Sequence, residues 1–294
     1  MFETIGDHQS ELTRTYGAYL EKYRDRNCFN PSVLRTGDET LIAFRAFGEN
    51  RTKPFQAFLF SSNEREASIE DLSEAMRCHG IRNVADPKLF ALDDEVWMTF
   101  NTGYSKTQNQ LYLVKLRPNF ETPIEVSFRE RQVVEKNWAF FKSKGKLKAL
   151  YSINPLVVLD AKTRDSGIIH FERSYVGERV SRHTLTIGTP MIQRGNAFGF
   201  IAHRKIGLLG KRVYFGVPAS LYCEEASYRV EIGAKRLIHT RGSLLGSWPK
   251  HNPNLISCTY FSGISNQGGE LVLSYGINDL TCNFSSVTED FLWQ

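Results

Sequence analysis

Residues 84 to 102 read VADPKLFALDDEVWMTFNT: an Asp-Pro pair, an apolar run through Leu89 and Phe90, an acidic turn, a second apolar run and a polar exit. Short runs rich in Val, Phe and Trp on either side of turn chemistry predict a β-hairpin. The same order recurs in FNPSVLRTGDETLIAFRA, EKNWAFFKSKGKLKALYSIN, GTPMIQRGNAFGFIAHRK and FSGISNQGGELVLSYGIND. The leading polar residues of the five segments are Asn30, Asp86, Asn137, Thr189 and Ser262. Most of the intervals between them are about fifty residues, close to one blade of a β-propeller. In that architecture equivalent positions of successive blades converge on a central channel, so these five residues would meet at one end of it.

The expected fold is therefore all-β, a five-bladed β-propeller with a short N-terminal helix, and residues 1–294 form one domain. Residues 1–26 would be a helical extension, because SELTRTYGAYLEKY (10–23) starts with a Ser10 cap and repeats Leu12, Tyr16, Tyr19 and Tyr23 at helical spacing. SIEDLSEAMRCH (68–79) is a second helix candidate. The alternative is a sandwich or a set of unrelated hairpins.

With 41% hydrophobic and 23% charged residues over 294 positions, the chain can bury a sizeable core. Its start lacks a basic stretch followed by an apolar one, and no apolar run reaches about 18 residues, so neither an export signal nor a membrane span is expected. Five scattered cysteines without a CxxC pair suggest no disulfide framework or zinc knuckle, and a cytoplasmic setting fits best. A net charge of +5 is mild for a nucleic-acid binder and suits an anionic small molecule. No cofactor or metal is expected: there is no HExxH, and GLLGKR (207–212) lacks the full phosphate-loop pattern.

A ring of polar residues at the start of buried strands is costly unless it is hydrogen-bonded or faces a wet cavity. Asp86 is the central candidate, either a proton-transferring group or an Asx-turn residue. Arg45, leaving the first hairpin in FRAFG, is either an anion-binding fork or one half of a surface ion pair. Lys136, Asn137 and Trp138 combine a cation, an amide and a flat face, although Trp138 equally suits the core. His203 and Arg204 leave the fourth hairpin as Arg45 leaves the first. Tyr275, Asn278 and Asp279 stand at the same position in the fifth. The basic run 235–254, with Trp248, reads as a solvated loop or as a cover over the channel.

At these residues the sequence resembles the five-bladed propeller enzymes of glycoside hydrolase family 130, the β-mannoside phosphorylases and hydrolases, and their propeller glycosyltransferase relatives. The resemblance runs from about Asn30 to the C-terminal end. The family's Asp-Pro-Arg motif falls on ADPK, which implies that Asp86 is catalytic; its YRA-like, Lys-containing and YGAAD-like segments fall on FRA, EKNW and SYGIND, and its Pro-rich strand on TPMI leading to His203. Lys88 replaces the motif arginine, and Tyr151-Ser152 stands where phosphorylases offer an anion-binding arginine. With the FSGI and SYGIND pair, these departures favour an inverting glycosyltransferase that moves a sugar from a nucleotide- or phosphate-linked donor to a glycan acceptor. A family-130 phosphorylase or hydrolase, with Asp279 as second carboxylate, is the alternative. A non-catalytic glycan binder using Trp97, Trp138 and Trp248 is a further one.

Overall fold

The computed structural model describes residues 1–48, 55–103, 108–208, 210–225, 227–246 and 249–294. The chain is all-β and propeller-like. Among the described residues five antiparallel meanders follow one another. The first runs through Cys28–Thr36, Glu39–Ala46, Gln56–Ser62 and Ala67–Asp71, and the second through Ala85–Leu92, Glu95–Asn101, Leu111–Arg117 and Ile124–Phe128. The third comprises Ala139–Ser143, Lys146–Ile153, Leu156–Asp165 and Ile168–Val176. The fourth comprises Ile192–Arg194, Ala197–Leu208, Lys211–Cys223 and Tyr228–Ile232, and the fifth Leu255–Gln267, Glu270–Ile277 and Asn283–Val287.

The opening stretch forms the hairpin its pattern predicts, with Leu89 paired to Met98 and Asp93 in a left-handed turn conformation (φ 54°). At the N-terminus, Ser10 accepts a hydrogen bond from Leu12 N at 3.3 Å and caps the helix Glu11–Leu20, which continues as a 3-10 turn over Glu21–Arg26. The second helix candidate is shorter than its sequence pattern. Ala67–Asp71 is a strand, and the Asp71 side chain caps a helix confined to Leu72–Arg77.

Alternation along each strand sends one set of apolar side chains to each face, and successive meanders bury these faces against each other. Leu34, Leu41 and Leu59 of the first meet Leu89, Met98 and Val114 of the second. Phe90 and Leu113 meet Trp138 and Phe140, and Phe141 and Leu150 meet Phe200 and Leu221. Ile201 joins Phe261 and Leu273, and Val272 and Phe284 of the fifth return to Val33 and Phe44 of the first.

The innermost strands have free edges, and hydroxyls satisfy them. Val33 N donates to Ser274 Oγ at 3.0 Å, Arg35 N to Ser265 Oγ at 2.8 Å and Leu89 N to Ser32 Oγ at 2.9 Å. Ser262 and Ser274 both donate to Pro31 O. This lacing draws the fifth meander onto the first. A Cβ added at Gly263 would lie 2.5 Å from Val33 N and 2.9 Å from Ser32 Cα, both backbone atoms that cannot step aside.

Gly263→Ala is therefore expected to destabilise the fold by about 3 kcal/mol, at the upper end of the cost of overpacking. Gly207→Ala, with nothing within 4 Å of its added Cβ, should stay within about 0.5 kcal/mol of the parent. Urea midpoints of the two variants check the difference.

Candidate functional site

Three of the leading polar residues adopt left-handed backbone: Asn30 (φ 52°), Asp86 (φ 48°) and Asn137 (φ 63°). Asn and Asp tolerate this region better than other residues with a side chain. The register of the first and second meanders shifts beside them, between Phe29 and Ser32 and between Ala85 and Lys88. Such bulges re-aim side chains at the end of a strand.

Asp86 lies on the wall between two adjoining clefts. One, of about 590 Å³, is lined by Asn30, Arg45, Lys136, Tyr214, His251 and Asp279 among others; the second, of about 630 Å³, shares Arg45, Phe55, Asp86 and Lys136 and adds Asn83, Asn101 and Thr102. Arg45 Nη1 meets Asp86 Oδ1 at 3.1 Å, both side chains being largely buried, at 14% and 18% exposure. The guanidinium is held between the rings of Phe29 and Phe55, at 5.1 and 4.7 Å. Burial pushes the Asp86 carboxyl up, but the charges of Arg45, Lys136 and Lys88 outweigh it and hold the group below its ordinary value. Asp279 shifts the other way. Burial and the charge of Asp86 raise it, against the pull of Arg45 and His251.

Beneath this wall lies Lys88, 2% exposed. Its ammonium donates to Asn137 Oδ1 at 2.9 Å and to Gly188 O. Gly188 itself packs tightly against the following strand, since a Cβ there would meet Ile201 O and lie 2.9 Å from His203 Nε2. Asn137 Oδ1 also accepts from Tyr260 Oη at 3.2 Å. Burial and the like charge of Lys136 push Lys88 down to about 7 against the attraction of Asp86.

Of the residues singled out in the sequence, Asn30, Arg45, Asp86, Lys136 and Asp279 line the cleft, and Asn137 sits directly below them. The others serve elsewhere. Trp138 is a core residue, packed among Phe128, Tyr151 and Phe171, with its indole N–H donated to Glu135 at 2.9 Å. Thr189 is fully buried and spends its hydroxyl on Pro190 O and Ile201 N, just as Ser262 spends its own on Pro31 O. Tyr275 is held in the core by His239 and Ser285.

His203 is not an anion-binding cation. Its Nε2 accepts Phe261 N–H at 2.9 Å, which requires that nitrogen to be unprotonated, and burial with the nearby charge of Lys88 pushes the ring down to about 3. Arg204, the next residue, points to the opposite face of the strand, where its guanidinium sits 5.8 Å from the Phe215 ring. Asn278 is a fastener: Oδ1 accepts from Cys258 N, Nδ2 donates to Pro249 O at 3.0 Å, and its carbonyl accepts from His251 N, which sets His251 over the cleft.

Tyr260, Tyr214 and Arg212 line the cleft without having been read from the sequence as site residues, and so do His251, Asn252 and Pro253 of the run 235–254, which read as a solvated loop or a cover over the channel. Tyr260 stands one residue before the fifth repeat, whose pattern gave it no separate signal. Trp97, the other glycan-stacking candidate, bonds Glu95 within its own hairpin, and Trp248 lies outside the described residues. Where the resemblance places an arginine in phosphorylases, Tyr151 donates to Glu135 at 2.8 Å. Among the described residues no group of three or more His, Cys, Asp or Glu could hold a metal ion, and no helix is long and apolar enough to cross a membrane.

No family model matches the sequence, and no curated protein matches it. Solved structures do match the fold. One comes from work on the GH130 family of mannoside phosphorylases, which contains glycoside hydrolases that target β-1,2 mannosidic linkages in Candida mannan; it is 10% identical with a TM-score of 0.62, over 90% of this chain and 85% of that one. A mannose phosphorylase from Leishmania mexicana, in complex with phosphate ion, is 12% identical with a TM-score of 0.57, over 97% and 95% of the two chains. A GDP-Man-dependent mannosyltransferase from the same organism is 12% identical with a TM-score of 0.62, over 92% and 88%. The family-130 resemblance seen in the sequence is thus carried by the whole fold, and at these identities the likeness is one of fold.

The site makes its own prediction about pH. Lys88 holds its proton less tightly in the fold, with a value of about 7, than an ordinary lysine at 10.5. Between these values the unfolded chain binds more protons, so stability should rise with pH across the window from about 7 to 10.5, and that gain is absent below it. In Lys88→Met the rise should flatten. Urea unfolding at about pH 6.5, 8 and 9.5 measures it, and parallel profiles for parent and variant would refute the assignment.

Proposed function

We propose that the protein is an inverting glycosyltransferase built as one five-bladed propeller domain over residues 1–294, each meander being a blade and residues 1–26 a helical extension. The observation that carries this reading is the state of Asp86. A general base must be ionised before reaction, and Arg45 at 3.1 Å with Lys136 and Lys88 nearby keeps this carboxylate ionised. As a general acid, the role of the same residue in phosphorolysis, it would have to hold a proton that these three cations oppose.

In the proposed reaction the acceptor hydroxyl oxygen attacks the anomeric carbon while Asp86 takes its proton. The bond from that carbon to the donor's phosphate oxygen breaks on the opposite face, inverting the centre. The departing phosphate or diphosphate takes the bonding pair, and Arg45, Lys136 and Arg212 would stabilise its charge. An anionic donor bound to Arg45 and Lys136 would offset the cations that depress Asp86, so the carboxylate would become more basic once the donor is seated. Tyr214 offers a flat face beside those cations in the cleft of about 590 Å³, which suits a sugar donor with an aromatic or phosphate portion. The adjoining cleft, with Asn83, Asn101 and Thr102, suits the hydroxyls of a glycan acceptor.

A family-130 phosphorylase or hydrolase is the second reading, and Asp279 is its supporting observation. This is another carboxyl in the same cleft, shifted upward while Asp86 is shifted downward, so in a hydrolase using the pair Asp279 would be the acid and Asp86 the base that activates water.

Incubation with a panel of nucleotide sugars and, separately, sugar 1-phosphates tests the proposal. Release of nucleotide dependent on a glycan acceptor is expected. Asp86→Asn should lower that turnover by roughly 10²- to 10⁴-fold while the donor still binds. Acceptor-independent sugar release that collapses in Asp279→Asn would instead establish the hydrolase.

A further inference from the structure

The fourth meander carries the longest hairpin among the described residues, Ala197–Leu208 with Lys211–Cys223, and its two faces differ. Ile206 pairs with Val213 and Leu208 with Lys211, so these four side chains share one face. Arg212 and Tyr214, on the other, line the cleft. On the first face Val213 packs beside Phe215 and Leu244, and the Phe2 ring stands 5.3 Å from Phe215. That face nevertheless leaves apolar groups in solvent. Ile206 is 40% exposed, Leu208 54%, Phe2 45% and Leu245, next to Leu244, 80%. Single exposed apolar side chains need no explanation, but a group of four around one hairpin marks a surface that something covers.

Charge identifies what. On this face of the hairpin stand Arg204 and Lys211, while Lys205 and Arg212 belong to the cleft face; the adjoining residues 235–246 add Lys235, Arg236 and Arg241 and no Asp or Glu, in a chain of net charge +5. Glu3, on the N-terminal strand paired to Arg236–Ile238, and Asp7, whose charge acts on His239, are acidic residues nearby. Arg204 has a buried Nε without a hydrogen-bond partner, and burial and the charge of Arg204 hold the Arg236 guanidinium below its ordinary range. A second copy of the chain docked through the same patch would set these cations against their own kind. Nucleic-acid surfaces pair cations with aromatic stacking faces, whereas Ile206, Leu208 and Leu245 are aliphatic.

We propose that this face seats on an anionic phospholipid bilayer, with Ile206, Leu208, Leu245 and Phe2 entering the headgroup boundary and the surrounding Lys and Arg meeting lipid phosphates. Apolar side chains rimmed by cations bind at the interface without spanning it. The hairpin that would dock also forms one wall of the cleft, so docking would leave the cleft beside the membrane. The surface argument does not depend on the proposed reaction.

Co-sedimentation of the full-length protein with vesicles tests it. The protein is expected to pellet with phosphatidylcholine vesicles containing about 30 mol% phosphatidylglycerol, to stay in solution with phosphatidylcholine alone, and to be released by about 0.5 M salt. Lys211→Gln should weaken partitioning about fivefold, the effect of one cation near such a surface. The pair Ile206→Ser with Leu208→Ser, at exposed positions outside the cleft, should abolish pelleting while the circular dichroism spectrum and thermal midpoint are unchanged. Failure of the parent protein to pellet with the anionic vesicles overturns the proposal. So does a dimer by light scattering that this double variant converts to monomer, or retention of a single-stranded oligonucleotide without vesicle binding.

Discussion

An ammonium group buried at the convergence of the innermost strands is the constraint around which this molecule is arranged. Removing Lys88 from water costs several kcal/mol, which its hydrogen bonds and the neighbouring carboxylate of Asp86 must offset. Its donors reach Asn137 of the third meander and Gly188 before the fourth, and through Asn137 it meets Tyr260 of the fifth. One side chain of the second meander thus ties three others. Its charge also helps hold Asp86 down and His203 neutral, so the interaction that fixes the geometry also sets the protonation of the groups around it.

The surrounding backbone is organised for the same purpose. The innermost strands of the first and second meanders expose N–H groups that a neighbouring strand does not pair, and serine hydroxyls satisfy several of them across the meander boundaries. A hydroxyl can donate and accept at once. Ser274 accepts from Val33 N while donating to Pro31 O, so it closes two backbone groups in a space too narrow for a larger side chain. Such lacing fixes the height at which Asn30 and Asp86 emerge, and the proximity of Arg45 to Asp86 follows from it.

The fivefold grammar of the sequence made the all-β, propeller-like fold legible, because strand, turn and polar exit recur at similar spacing. Asn30, Asp86 and Asn137 were legible for a physical reason, since polar residues recurring at the head of buried apolar strands are costly unless they are hydrogen-bonded or face a wet cavity; their left-handed backbone was not foreseen, because Pro87 pointed to extended geometry at Asp86. The remaining site residues were harder to read. Period-two alternation tells which residues share a face, but a bulge inverts the alternation beyond it, and the strand holding Lys88 carries one between Ala85 and Lys88. Lys88 therefore read only as a substitution in a motif. His203 and Arg204 read as a pair of cations, although adjacent residues on one strand face opposite ways. Tyr275 and Trp138 have polar tips that suit a sugar site equally well, and only the partners Ser285, His239 and Glu135 show those tips already engaged.

The opposed shifts of Asp86 and Asp279 have a common origin. Both carboxyls are withdrawn from water, yet Asp86 has an arginine in direct contact, while Asp279 feels the negative charge of Asp86 in addition to its own burial. A low carboxyl is a weak base, so the free site is poorly suited to removing a proton from a sugar hydroxyl. On the proposed reading this is the useful state. A base held quiet by cations does not act until a phosphate-bearing donor draws those cations to itself, and the same event brings the anomeric carbon into the cleft. Proton transfer and bond cleavage then become available together, which suppresses reaction in a half-filled site without requiring any loop to move.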